Sequence, residues 1–401
     1  MFENADKKIL ALCEEAKPVF LRNLETLVNM DSGSDDYDEL NKKADVLKKM
    51  LEDVGGTVVL EPAAPPREGT CNVVATWKGT GRAKILYMAH YDTVWPKGEA
   101  AKRPFTLKGN IATGPGVNDR QNSVAGFPVF MDILLNKLGC RDFDTITVML
   151  NSDEEKGSFG SRDLIMRLSA EHDVVYSTDG SCPNGDHINT SSRGTSYYDL
   201  HFKGVESHSG SAPEKGRNAG YEMAHQMLNM RDLSSRERGT DVNWTMGSFG
   251  TKSNVIPGVA HAHANARITY KDEWDRIEND IRERIKSKLF PESEITFTIT
   301  RGRPPFEPNE ATEKLAAKMI ALSESELGWP LKGCPAGGAN DSSYSFQTAP
   351  VAIDGFSLGG ANAHSLEEHY NIDHLVPRMY LWLRVAVATM KGEMVPLRKK
   401  G

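Results

Sequence analysis

TITVMLNSDEEKGSFGS, Thr145 to Ser161, joins a short apolar run to two adjacent glutamates and a glycine-rich turn. The run Thr145 to Leu150 is brief, β-branched and free of polar alternation, which predicts a buried strand. Glu154 and Glu155 therefore stand just beyond a strand end, the edge of an open α/β sheet where ligands bind. Neighbouring carboxylates repel, and a fold tolerates them there chiefly when a cation compensates. One can then bind metal while the other stays available as a base. The competing reading is a solvated acidic turn.

Two further apolar runs end in the same way. KILYMAH closes on His90, with Asp92 two residues on, and DVVYST leads into Asp179. A neutral imidazole is a common metal ligand and a nearby carboxylate can orient its ring, although a single His-x-Asp is as readily structural. Between these runs TGPGVNDRQNSVAG (Thr113 to Gly126) sets Asp119 ahead of a helix predicted to reach about Leu138. Asp119 is either the N-cap of that helix or a carboxylate delivered by a rigid loop to bridge two cations. His364 follows the glycine-rich turn SLGGANAH, which suits a ligand held on a loop. Three strand ends carrying ligand chemistry point to one shared site.

Apolar spacing predicts helices from about Lys7 to Met30 and from Asp36 to Val54, the second stopping at Gly55-Gly56. CNVVATWKG and KILYMAH follow as strands. From Arg193 the texture changes to one-faced strands and helices in the order β-α-β-β-α-β, a ferredoxin-like pattern of about 110 residues. His261 and His263 share one face of a strand in it. No carboxylate or thiolate stands near them in sequence, so they read as structural or surface histidines. The α/β pattern resumes with a helix from Thr312 to Leu327, the strand PVAIDGF and an amphipathic segment from Pro377 to Lys391. The expected fold is α/β: a catalytic domain with a mostly parallel sheet in two parts, 1–192 and 305–401, and an inserted ferredoxin-like α+β domain, 193–304.

The 401 residues, 39% hydrophobic and 26% charged, suit a soluble protein with a sizeable core. A net charge of −7 argues against a nucleic-acid partner. The N-terminal stretch has no continuous apolar h-region, and no apolar run approaches the ~18 residues that span a bilayer. Cys13, Cys71, Cys140, Cys182 and Cys334 are scattered and odd in number, as expected of reduced thiols in the cytoplasm.

Taken together, AHYDTVWPKG, GPGVNDRQ, NSDEEKGSFGSRDLI, SHSGSAPEKGRNA, SNVIPG, TRGRPPF and AHS resemble segments of the di-zinc metallopeptidase family. That family includes glutamate carboxypeptidase, acetylornithine deacetylase, succinyl-diaminopimelate desuccinylase and the zinc aminoacylases. The resemblance runs along nearly the whole chain and is closest to the glutamate carboxypeptidase branch. It implies two Zn2+ ions, with Co2+ or Mn2+ as alternatives. His90 and Asp179 would hold one, Glu155 and His364 the other, and Asp119 would bridge them. Glu154 would be the general base and Asp92 would hold the His90 ring. The insert would serve a homodimer and present His208 to the substrate's oxyanion. Asn254, Arg267, Arg303 and Asn340 would face the substrate, with Arg303 clamping a terminal carboxylate. The implied activity is hydrolysis of an amide or peptide bond that releases a C-terminal amino acid.

Three departures bear on that expectation. Many relatives carry Asp-x-Lys-Gly after the bridging aspartate, where this chain has Asp119-Arg120-Gln121-Asn122. Asn340 replaces a small hydroxyl residue, and His369 stands where the branch tends to be acidic. A deacylase, a dipeptidase or an atypical amidohydrolase would share every zinc ligand. A non-catalytic binding module would have no use for Glu154.

Overall fold

The Asp6 carboxylate opens the first helix, α1 (Lys7–Val28), by accepting the Lys8 and Ile9 amides. The helix buries Ile9, Cys13, Phe20, Leu24, Leu27 and Val28, the apolar stripe that its 3.6-residue period places on one face. Asp36 caps α2 (Tyr37–Glu52) in the same manner. Strands of the main sheet and two of the helices beside them follow: β1 (Thr57–Pro62), β2 (Cys71–Lys78), β3 (Lys84–His90), α3 (Asn122–Met131), β4 (Thr145–Asn151) and α4 (Arg162–Glu171). β5 (Val174–Ser177) completes this part. The computed structural model describes residues 2–180 and 186–398. Of the five cysteines, Cys182 lies outside the described residues, and Cys13, Cys71, Cys140 and Cys334 are free thiols.

The chain divides into two compact units. One comprises Met1–Ser191, Pro308–Ala336 and Asn340–Gly401; the other comprises Ser192–Glu307 and Gly337–Ala339. In the second unit β6 (Gly194–Lys203), α5 (Ala219–Asn229), β7 (Asp241–Phe249), β8 (Val259–Ile268), α6 (Asp272–Arg284) and β9 (Glu294–Arg301) alternate as a ferredoxin-like fold. Its four strands are antiparallel in the order β7-β8-β6-β9. Along β8 every second residue (Ala260, Ala262, Ala264, Ala266, Ile268) is buried with Trp274, Ile277 and Ile281 of α6, so His261 and His263 lie on the opposite face. The structure corrects the expectation that no carboxylate joins them. Asp199 of β6 lies opposite His263, and its Oδ1 is 2.7 Å from His261 Nε2 and 2.9 Å from His263 Nδ1. Cross-strand neighbours about sixty residues away in sequence are invisible to local spacing.

The chain returns to the first unit with α7 (Glu310–Leu327), β10 (Ala352–Ile353) and α8 (Leu375–Met390). The main sheet has the order β1-β2-β4-β3-β5-β10. β4, β3, β5 and β10 pair in parallel, while β1 and β2 add two antiparallel neighbours. All seven residues of β4 are buried, as befits a strand covered on both faces. β1, a half-exposed edge strand, went unread in the sequence. α8 is not amphipathic as its sequence suggested. Packed by α1, α3 and α7, it buries nearly every side chain, including Trp382 and Arg378. The Arg378 guanidinium donates from Nε to the Ser357 carbonyl and from Nη2 to the Gly355 carbonyl. No helix among the described residues is long and apolar enough to cross a membrane.

This topology decides where the ligand chemistry stands. His90 is the last residue of β3, in register with Asn151 at the end of β4. β5 ends at Ser177, beside Met88, two residues before Asp179. His90, the Glu154-Glu155 pair and Asp179 thus leave the carboxyl edge of three adjacent parallel strands.

Candidate metal centre

Asp119 is the hub. It is no N-cap: it sits in a tight turn, Val117–Gln121, with non-helical backbone angles, and α3 begins three residues later. Its Oδ1 lies 3.2 Å from His90 Nε2 and its Oδ2 lies 2.9 Å from His364 Nε2. Each imidazole meets one further carboxylate: Asp179 Oδ1 is 3.9 Å from His90 Nε2, and Glu155 Oε1 is 3.1 Å from His364 Nε2. Among the described residues, ligating atoms converge in three sets: His90, Asp119 and Asp179; Asp119, Glu155 and His364; and His90, Glu154 and Glu155. His364 holds its place in the left-handed region (φ 62°), an unusual cost for a side chain with a Cβ and one found where function demands it. Two imidazoles and three carboxylates, brought from five segments, are the N and O donors that zinc, manganese and cobalt accept, and the residues fit a metal.

The electrostatics agree. Burial by itself would raise the Asp119 carboxyl, but hydrogen bonds to His364 and His90 and the Arg120 charge hold it well below the usual range. Bonds to Asp119 and Glu155 push His364 up to about 10. His90 is likewise raised, since Asp119, Asp92 and Asp179 outweigh its burial. Without metal the His364 imidazole therefore carries a proton at neutral pH, and a cation must displace it. Zinc affinity is expected to rise with pH, roughly tenfold per pH unit for each proton displaced. Titration of metal-stripped protein between about pH 6 and about pH 8 checks this; a flat affinity would mean imidazoles already neutral.

A ring of buried groups fixes these ligands. Asp92 touches His90 Nδ1 through its carboxylate at 3.3 Å and accepts Ser34 Oγ at 2.7 Å and the Glu154 and Glu155 amides at 3.2 Å. Sequence spacing did not reveal Glu368. Its carboxylate accepts the Gly116 amide at 3.0 Å and the Asn118 and Asp119 amides at 2.9 Å, tying down the loop that carries Asp119. The Gln121 departure is absorbed: its amide donates to the Tyr91 carbonyl, and the fully buried Lys43 donates to Gln121 Oε1 and Ser32 Oγ. Burial holds the Lys43 ammonium down at about 7, so α2 places an adjustable charge under the strand end that bears His90. Asn340 is buried too, donating to Asp354 Oδ2 at 2.9 Å and accepting from the Ser342 amide. Burial, then the Asp179 charge, raises the Asp354 carboxyl to about 7. His369, half-buried, turns its Nδ1 to the Glu367 carbonyl.

The second unit carries His208, Asn254, Arg267 and Arg303. His208 is exposed, and its Nδ1 accepts the Gly210 and Ser211 amides at 3.1 and 3.2 Å. A nitrogen that accepts carries no proton, so Nε2 is the donor. Asn254 is exposed and Arg267 half-buried. Arg303 is held by Nη1 at the Ala339 carbonyl and by its amide at Thr195 Oγ1, both 3.1 Å.

Residues 190–293 match the M20 peptidase dimerisation domain, and residues 72–237 match peptidase family M28. Carboxypeptidase G2 from Pseudomonas sp. (strain RS-16) is 32% identical over 394 residues, 98% of this chain and 94% of that protein. Succinyl-diaminopimelate desuccinylase from Delftia acidovorans is 25% identical, over 86% of this chain and 95% of its own. The crystal structure of aminopeptidase PepT from Bacillus cereus shares the fold with a TM-score of 0.79, at 19% identity, covering 94% of this chain and 98% of that one. Near-complete coverage by the first relative, with ligand chemistry on the same sheet edge, leaves one assignment: the chain belongs to the M20 family of metallopeptidases, hydrolases of amide and peptide bonds.

Proposed function

We propose that this hydrolase works with two zinc ions, replaceable by cobalt or manganese, and releases a C-terminal amino acid, glutamate foremost, from an N-acyl or peptidyl amide. One observation carries the reading: Asp119 turns one oxygen to His90 and the other to His364, and each histidine has its own second carboxylate. His90 and Asp179 would hold one ion and Glu155 and His364 the other, with Asp119 serving both. Zinc bound there acidifies water and polarises the amide carbonyl. Glu154 takes the proton of the attacking water on its carboxylate and returns it to the leaving nitrogen. Asp92 keeps the His90 ring in place. His208 donates from Nε2 to the developing oxyanion, the tautomer its Nδ1 contacts favour. Arg303 grips the substrate's terminal carboxylate through paired N–H groups, assisted by Arg267 and Asn254, while Asn340 shapes the pocket through Asp354.

The matched dimerisation domain supports a homodimer. Tyr221, Leu228, Met246, Phe249 and Val259 of the second unit are large apolar side chains left exposed, and β7 is an edge strand of its sheet. Unpaired cysteines at all four described positions suit the reducing cytoplasm.

Amine release from N-acyl amino acids and dipeptides, by metal-stripped and zinc-restored protein, tests the reading. Zinc-dependent release of glutamate from pteroyl- or benzoyl-glutamate supports it. Turnover of acetyl-ornithine in preference would make the enzyme a deacylase, and silence in all of them would reject a carboxypeptidase. Arg303→Ala is expected to cost about ten- to a hundredfold in kcat/KM on carboxylate-bearing substrates, the worth of a charged hydrogen bond. An unchanged value would move the clamp to Arg267.

A further inference from the structure

Arg120 has no task in the chemistry above, yet it is 1% exposed and lies against the ligands. Its Nη2 is 3.2 Å from Asp179 Oδ1 and its Nε is 3.5 Å from Asp119 Oδ1. These are the same oxygens that face His90 Nε2. Among the described residues Nε and Nη1 have no hydrogen-bond partner, so the guanidinium is held there by charge more than by a satisfied network. Asp354, hydrogen-bonded by Asn189 and Asn340, contributes negative charge that makes the buried cation tolerable.

Among the described residues the other half of the cluster has no such neighbour. Glu155 and Asp119 Oδ2 both meet His364, and Lys156, next to Glu155 in sequence, is half-exposed and turned to Asp35 at 2.7 Å. An arginine cannot shed its proton to relieve repulsion, whereas an imidazole can. Charges also act more strongly on one another in a dry site than in water. A dication arriving at His90 must therefore share Asp179 and Asp119 Oδ1 with a fixed positive charge, whereas one arriving at His364 meets Asp119 through Oδ2 and shares no other carboxylate with Arg120.

We propose that Arg120 ranks the two metal positions, so that the His90–Asp179 position binds zinc more weakly than the Glu155–His364 position and is the first to empty. The inference rests on the two-metal reading. It makes Arg120 a positioning residue whose effect is on affinity.

Competition of metal-stripped, full-length protein against a chromophoric zinc chelator tests it. Two affinity classes at least about tenfold apart are expected. Asp179→Asn should abolish the weak class alone, and Glu155→Gln the tight class alone. Arg120→Met should tighten the weak class by about ten- to a hundredfold, the usual reach of groups just behind metal ligands, and leave the tight class unmoved. Arg120→Lys keeps the charge and should leave both classes near wild type. Equal affinities in the wild type overturn the proposal, as does a weak class that Arg120→Met leaves alone or weakens further. Should Arg120→Met fail to fold, the wild-type classes and Arg120→Lys still decide. A single zinc at saturation would sink the two-metal reading itself, and the ranking with it.

Discussion

Glu154→Gln is expected to keep the fold and its zinc while turning over about a hundred- to ten-thousandfold more slowly, the range by which a positioned acid–base group accelerates a reaction. The substitution changes no volume and removes only the ability to take a proton. The Glu154 backbone is fixed independently of its side chain, since its amide donates to Asp92 Oδ1. Glu154 enters only the set with His90 and Glu155, and neither the His90–Asp119–Asp179 set nor the Asp119–Glu155–His364 set needs it, so metal should survive the change. Glu155→Gln makes the contrast, because it strips a partner from His364 and should release zinc along with activity. Zinc content, melting temperature and kcat on each variant separate the cases. If Glu154→Gln turned over within about tenfold of wild type, the base would have to be sought elsewhere; if it lost zinc, Glu154 would be a ligand.

What the sequence made legible follows from where information is local. The buried strand 145–150 is continuous and apolar, and a ligand at a strand end needs only that strand to be recognised. His90, Glu154, Glu155 and Asp179 could thus be placed on one sheet edge before any pairing was known. The ferredoxin-like order was readable for the same reason, because strands such as β8 and β9 alternate along their length. Partners brought by tertiary contact were not readable. Asp199 reaches His261 and His263 across β6 and β8, and Lys43 reaches Gln121 from a helix near the N-terminus. The burial of α8 on nearly all sides depends on three other helices, so its own periodicity could not report it. Arg120 stood in plain view at the unconstrained position of a motif, and only its contact with Asp179, 59 residues on, gave it a meaning.

Glu368 shows what such a hidden partner is worth. Glu368→Ala would leave the Gly116, Asn118 and Asp119 amides without their acceptor in a buried loop. An unpaired buried donor costs about 1–3 kcal/mol, so three of them amount to several kcal/mol, a large part of the 5–15 kcal/mol that holds a typical protein folded. The loss falls on the segment that carries Asp119, and zinc affinity should drop by about ten- to a hundredfold even in protein that remains folded. Glu368→Gln should lie between: its amide oxygen can still accept one set of N–H groups, while its NH2 is set against the other. His369→Glu should not rescue the alanine variant, because successive residues of an extended chain point to opposite sides and the His369 ring faces the Glu367 carbonyl. A Glu368→Ala protein that melts and binds zinc like wild type would show that the Asp119 loop is held by its own turn. In that case the acidic residue at this point of the chain would have to act on the substrate.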